Sequence, residues 1–103
     1  MIEYETRNDT LYFIFKGEVD ESCATEIRNF MDEILEKYPR RKVVMDMEKL
    51  NFMDSTGIGL LLGRYKKITA KNSITYIQNP SGSIDRLLTI SGIYQLMPKV
   101  EIQ

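Results

Sequence analysis

Two adjacent hydroxyls, Ser55 and Thr56, directly follow a carboxylate, Asp54, in the segment Asn51-Phe52-Met53-Asp54-Ser55-Thr56-Gly57-Ile58-Gly59. The segment reads as a tight turn feeding a helix. One reading is purely structural: a side-chain oxygen of Asp54 or Ser55 caps the helix by accepting from a free amide two or three residues on. The other is chemical: Ser55 or Thr56 receives a phosphoryl group. A phosphate there would face the partial positive charge of the helix N-terminus, so the fold would tolerate it. Its charge, about −1.5 to −2 at neutral pH, would alter the surface and not the core. Gly57 and Gly59 favour the second reading. Glycine in a first helical turn weakens the helix, but it lets a partner's backbone or a nucleotide come close. The chain has no histidine. The commonest general base and metal ligand at neutral pH is therefore missing, and no Ser-His-Asp or Cys-His site can form within one chain. This is the chemistry of a protein that is modified, not of one that catalyses.

The segment Gly17-Glu18-Val19-Asp20-Glu21 is the second candidate. It lies between a strand end and a helix start, and in open α/β sheets such ends cluster near one another. Asp20 and Ser55 are therefore expected on one surface, with Glu21 beside them, either as a solvated acidic loop or as a partner-binding one. Three acids also suggest a metal site, but no other ligand type supports it. Gly57-x-Gly59-x-x-x-Gly63 is a loose dinucleotide fingerprint lacking a tight turn straight from a strand and an acid for the ribose. Close packing of Gly59 and Gly63 against a neighbouring element is the better reading. Arg40-Arg41-Lys42 follows a predicted helix C-terminus, where positive charge is favoured; phosphate binding is the weaker alternative for it. Cys23 is the only cysteine, which excludes an internal disulfide.

These segments need elements to hold them. Residues 2–7 and 10–15 read as paired strands with Asn8-Asp9 as the turn. The second is nearly continuously apolar, as a strand buried on both faces would be, and Lys16-Gly17 ends it. With Ser22 as N-cap, Ile27, Phe30, Met31, Ile34, Leu35 and Tyr38 form one face of an amphipathic helix that Pro39 ends. Residues 42–47 are a short central strand, and 48–53 a connector. From Thr56, the set Ile58, Leu61, Leu62, Tyr65 and Ile68 marks a second helix. Residues 73–78 are a strand. Asn79-Pro80 reads as a cap with proline at the first helical position, and Ile84, Leu87 and Leu88 as the buried face of a third helix closed by Gly92. Residues 94–97 or 100–102 offer a last strand. The alternation implies an α/β fold with a mixed, mostly parallel sheet of four to five strands packed with three or more helices.

At 103 residues the chain is one domain, 1–103. The net charge of −1 argues against a general nucleic-acid binder. Residues 1–54 carry 13 acids and 8 bases, and residues 55–103 carry 2 acids and 6 bases, which suits an acidic patch meeting a basic partner. No signal peptide or spanning run is visible, so a cytoplasmic protein is expected.

The segment Phe52-Met53-Asp54-Ser55-Thr56-Gly57-Ile58-Gly59-Leu60-Leu61-Leu62-Gly63-Arg64-Tyr65-Lys66-Lys67-Ile68, the Gly17-Glu18-Val19-Asp20 loop and Leu88-x-x-Ser91-Gly92 occur in an order and spacing that resemble the anti-sigma factor antagonists. These are small single-domain members of the STAS family. The resemblance implies a partner switch. The unphosphorylated protein would bind a GHKL-type serine kinase that is also the anti-sigma factor, releasing the sigma factor. The kinase, bringing ATP and magnesium, would then phosphorylate Ser55 and end the binding, and a PP2C-type phosphatase would reverse the modification. Asp20, Glu21, Asp54, Ser55, Thr56 and Gly57 would form the partner surface. The protein would be a substrate and ligand without a cofactor, a monomer or weak dimer, binding neither nucleic acid nor membrane. Thr56 stands where many relatives have a second serine. A scaffold or sensor STAS module without a phosphorylation cycle, and a small nucleotide-binding protein, are the alternatives.

Overall fold

The computed structural model describes residues 1–100. The chain runs β1 (Ile2–Arg7), β2 (Thr10–Val19), α1 (Ala24–Lys37), β3 (Lys42–Met53), α2 (Ser55–Ala70), β4 (Ile74–Gln78), α3 (Gly82–Ser91), a short 3₁₀ turn (Ile93–Gln95) and β5 (Lys99–Val100). The five strands lie in sequence order in one sheet. The β1–β2 hairpin is antiparallel and the other three pairings are parallel. This is the mixed, mostly parallel α/β sheet that the alternation of elements predicts, and β3 sits at its centre.

All three helices share one core with one face of the sheet. Leu11, Phe13 and Phe15 of β2 and Met45 and Met47 of β3 are fully buried there. They join Ile27 and Met31 of α1, Leu60 and Leu61 of α2, and Ile84 and Leu88 of α3 in a single cluster. Tyr12, Ile14 and Tyr76 alternate onto the opposite face, are half-buried, and stand outside that cluster. The expectation that β2 is buried on both faces is therefore corrected. Its continuous apolar run reflects β-propensity on a partly covered face, a role aromatic and branched side chains also fill.

Two strands are longer than expected. β2 continues through Lys16-Gly17 to Val19, and β3 continues through residues 48–53. Register shifts fall between Ile14 and Lys16 and between Gly17 and Glu18, and Gly17 has φ of +77°. Glycine here admits a bulge that re-aims the strand and does not terminate it. The bulges break the period-two pattern, so Leu50 and Met53 are both buried although three residues apart.

The cap positions also differ from expectation. Cys23, not Ser22, is the N-cap of α1, and its side chain makes no capping hydrogen bond. Ser81, not Asn79, caps α3, so Pro80 lies before the helix. Asn79 takes a positive φ of 55° instead, which asparagine tolerates in turns. Gly92 closes α3 in the left-handed conformation, φ +79°, as expected. Residues 94–97 are not a strand. The last strand is Lys99–Val100, and Ile102 lies outside the described residues.

Candidate functional site

The parallel pairing of β2 with β3 builds the site. Val19 stands opposite Met53, and the Asp54 amide donates to the Val19 carbonyl at 3.4 Å. Asp20 and Asp54 therefore leave adjacent strands side by side, which brings the two candidate loops to one edge. The strand β3 passes into α2 through the single residue Asp54, in extended conformation.

Asp54 is the cap. Its Oδ1 accepts from the Thr56 amide at 2.9 Å and from the Gly57 amide at 3.2 Å. Two of the amides left over at the helix start are thereby satisfied. Ser55 is the first helical residue and is exposed. Among the described residues its hydroxyl makes no hydrogen bond, because the capping task falls to its neighbour. Thr56, the other candidate hydroxyl, is half-buried.

Gly57 is buried, and a Cβ built on it would collide with the Met53 side chain and come within 3.2 Å of Val19 Cγ1. Its open side is thus filled by its own chain, and it seats α2 against the ends of β2 and β3. Gly59 and Gly63 have nothing within 4 Å of an added Cβ. The expected close packing at these two glycines is corrected, and it is found at Gly57 instead.

Asp20 organises the turn ahead of α1. Its Oδ1 accepts from the Ser22 hydroxyl at 2.6 Å and the Ser22 amide at 2.9 Å, and its carbonyl accepts from the Ala24 amide at 3.0 Å. The Ser22 hydroxyl bond is the main reason the Asp20 carboxyl is held below its ordinary range. Glu21 is exposed on the same turn. Among the described residues no three acidic or cysteine side chains converge to hold a metal ion.

Two residues were not legible from the sequence. Phe52, read as part of a connector, is 48% exposed beside the cap, opposite Glu18. Its exposure follows only once β3 is known to run on to Met53. Arg64, in the middle of α2, is 6% exposed. Its Nε meets Asp32 Oδ1 of α1 at 2.9 Å, as an ion pair and not an aligned hydrogen bond. Burial pushes the Arg64 guanidinium down, and the Asp32 charge opposes this. A charged residue among apolar ones gives no sign of burial until its partner on another helix is known.

The family model for the STAS domain matches residues 1–102. An anti-sigma F factor antagonist of Paenibacillus polymyxa is 34% identical over 97 residues, covering 94% of this chain and 83% of the relative. The unphosphorylated structure of the anti-sigma factor antagonist SpoIIAA superimposes with a TM-score of 0.83 at 27% identity, over 97% of this chain and 88% of that one. The phosphorylated form of the Bacillus cell fate determinant SpoIIAA gives 0.74 at 27% identity, over 97% and 91%.

Proposed function

This chain belongs to the STAS domain family, and we propose that within it the protein is an anti-sigma factor antagonist switched by phosphorylation of Ser55. The single observation that carries the reading is the division of labour at the start of α2. Asp54 holds the helix amides, and Ser55 beside it is exposed. A hydroxyl that supports nothing can be modified without loss of structure. The similarity to antagonists, one of which is solved in both an unphosphorylated and a phosphorylated form, supports the same reading.

In this proposal the unphosphorylated protein docks on a GHKL-type serine kinase that is also the anti-sigma factor, and the sigma factor is released. Asp20, Glu21, Asp54 and Thr56 border the docking surface, with Ser55 at its centre and Gly57 beneath it. Exposed Phe52 adds apolar contact of the kind found at interfaces. Transfer of a phosphoryl group places about −1.5 to −2 charge on Ser55, next to Asp54 and across from Asp20. The helix N-terminus offsets part of this within the protein. A partner surface shaped for a neutral serine meets like charge, which costs several kcal/mol. About 1.4 kcal/mol is already tenfold in affinity, so one phosphate ends the complex without refolding. A PP2C-type phosphatase restores it. The protein acts in the cytoplasm as substrate and ligand, not as an enzyme.

Intact-mass spectrometry after incubation with ATP and an extract of the native host tests the site. A single-phosphate shift in wild type that vanishes in Ser55→Ala is expected. A shift that persists in the variant moves the site to Thr56 or elsewhere. No shift in either, with an active extract, favours a scaffold module without a phosphorylation cycle.

A further inference from the structure

We infer that the groove between the C-terminal ends of α1 and α2 binds a small molecule carrying a carboxylate or phosphate on an apolar body. The cavity there has a volume of about 560 Å³, within the 300–1,000 Å³ or so typical of small-molecule sites. Leu35 of α1, Val43 of β3 and Ile68 of α2 give it an apolar lining. Arg40 and Arg41 line it where the chain turns from α1 into β3.

The charges of this cavity are unevenly satisfied. Lys71 reaches Glu36 at 3.3 Å, and Lys67 reaches Asp32 at 3.2 Å, a carboxylate it shares with Arg64, so each lysine has an acidic partner across the helix pair. Arg40 donates one guanidinium nitrogen to the Pro39 carbonyl at 3.0 Å, while its Nε is buried with no hydrogen-bond partner among the described residues. Neither arginine has a carboxylate within ion-pair distance among those residues. Offsetting the helix dipoles does not account for them, because each helix has a lysine of its own in its last turn, Lys37 and Lys67.

The backbone that carries the arginines is fixed. The Ser73 hydroxyl donates to the Arg40 carbonyl at 2.6 Å, and the Ile74 amide donates to the Arg41 carbonyl at 3.0 Å. A guanidinium fork on a rigid backbone suits carboxylate or phosphate oxygens, and the apolar lining suits the body that carries them. The lining of this site on α2 begins at Lys67, about 18 Å along the helix axis from Ser55, so it is separate from the partner switch and does not rest on it.

Titrating the isotopically labelled full chain with naphthoate, and separately with the uncharged naphthalenemethanol, tests the site by amide chemical shifts. Saturable shifts are expected at residues 38, 40, 41 and 70–73, with a Kd for naphthoate below about 1 mM. The neutral alcohol and the Arg40→Gln variant should each bind at least about fivefold more weakly. Equal affinity for acid and alcohol would overturn the anionic recognition without any variant being needed. Shifts centred elsewhere, such as the open sheet face at Tyr12 and Tyr76, or no saturation, would overturn the site itself.

Discussion

At its N-terminal end α2 presents an exposed serine beside a capping aspartate; further along the same helix Arg64 is 6% exposed and held 2.9 Å from Asp32 of α1. On the proposed reading the first end accepts a change of about two charges because the exposed Ser55 hydroxyl holds nothing in place. The second cannot lose its carboxylate, because the Arg64 guanidinium that Asp32 balances is buried while Asp32 is half-buried. A single helix thus divides its tasks along its length. The charge that holds the fold is sunk between α1 and α2, and the residue proposed to change charge stands clear of the core.

The sharpest way to break that contrast is at the buried end. Asp32→Ala leaves the Arg64 guanidinium unpaired, and the expected loss is about 3 kcal/mol in chemical denaturation. A loss under about 1 kcal/mol would mean that the pair does not hold the helices together. At the exposed end the seat of the helix is the sensitive point. Gly57→Ala must displace Met53 and Val19 and should cost about 2 kcal/mol. Gly59→Ala, with open space around it, should gain about 0.5–1 kcal/mol. Equal effects would contradict the assignment of Gly57 as the only one of the pair in close contact.

Asp54→Ala removes a cap that serves two amides and should cost about 1 kcal/mol, whereas Ser55→Ala should fall within about 0.5 kcal/mol of wild type. A larger loss at Ser55 would give it the capping role. The smallest effect concerns acid. The Asp20 carboxyl is held below its ordinary range chiefly by the Ser22 hydroxyl, so its stabilising contribution is present above about pH 3.9 and is lost as pH falls through the depressed value. Carboxyl titration by NMR should place its inflection below about 3.9, and Ser22→Ala should raise it.

Much of this was legible in the sequence because helices with one buried face write a regular pattern. Ile27, Met31 and Ile34 in α1, and Ile84 and Leu88 in α3, are buried where their spacing put them. The closure of α3 at Gly92 and the meeting of the Asp20 and Asp54 loops were equally readable. The lengths of β2 and β3 were not, because the bulges near Gly17 shift the period midway and glycine reads as a stop. The ownership of the cap was open for a different reason: Asp54 and Ser55 both carry capping oxygens, and only the backbone angle at residue 54 decides between them. Which glycine packs closely depends on Met53 and Val19, which come from two strands, one of them far away in sequence.

The claim that Ser55 is the switch is tested most directly by the affinity of the purified kinase and anti-sigma factor for this protein before and after stoichiometric phosphorylation, measured by calorimetry. The phosphorylated form should bind at least about tenfold more weakly, its melting temperature unchanged, and Ser55→Asp should move in the same direction. Equal affinity for the two forms, with Ser55 verified as the modified residue, would contradict the switch.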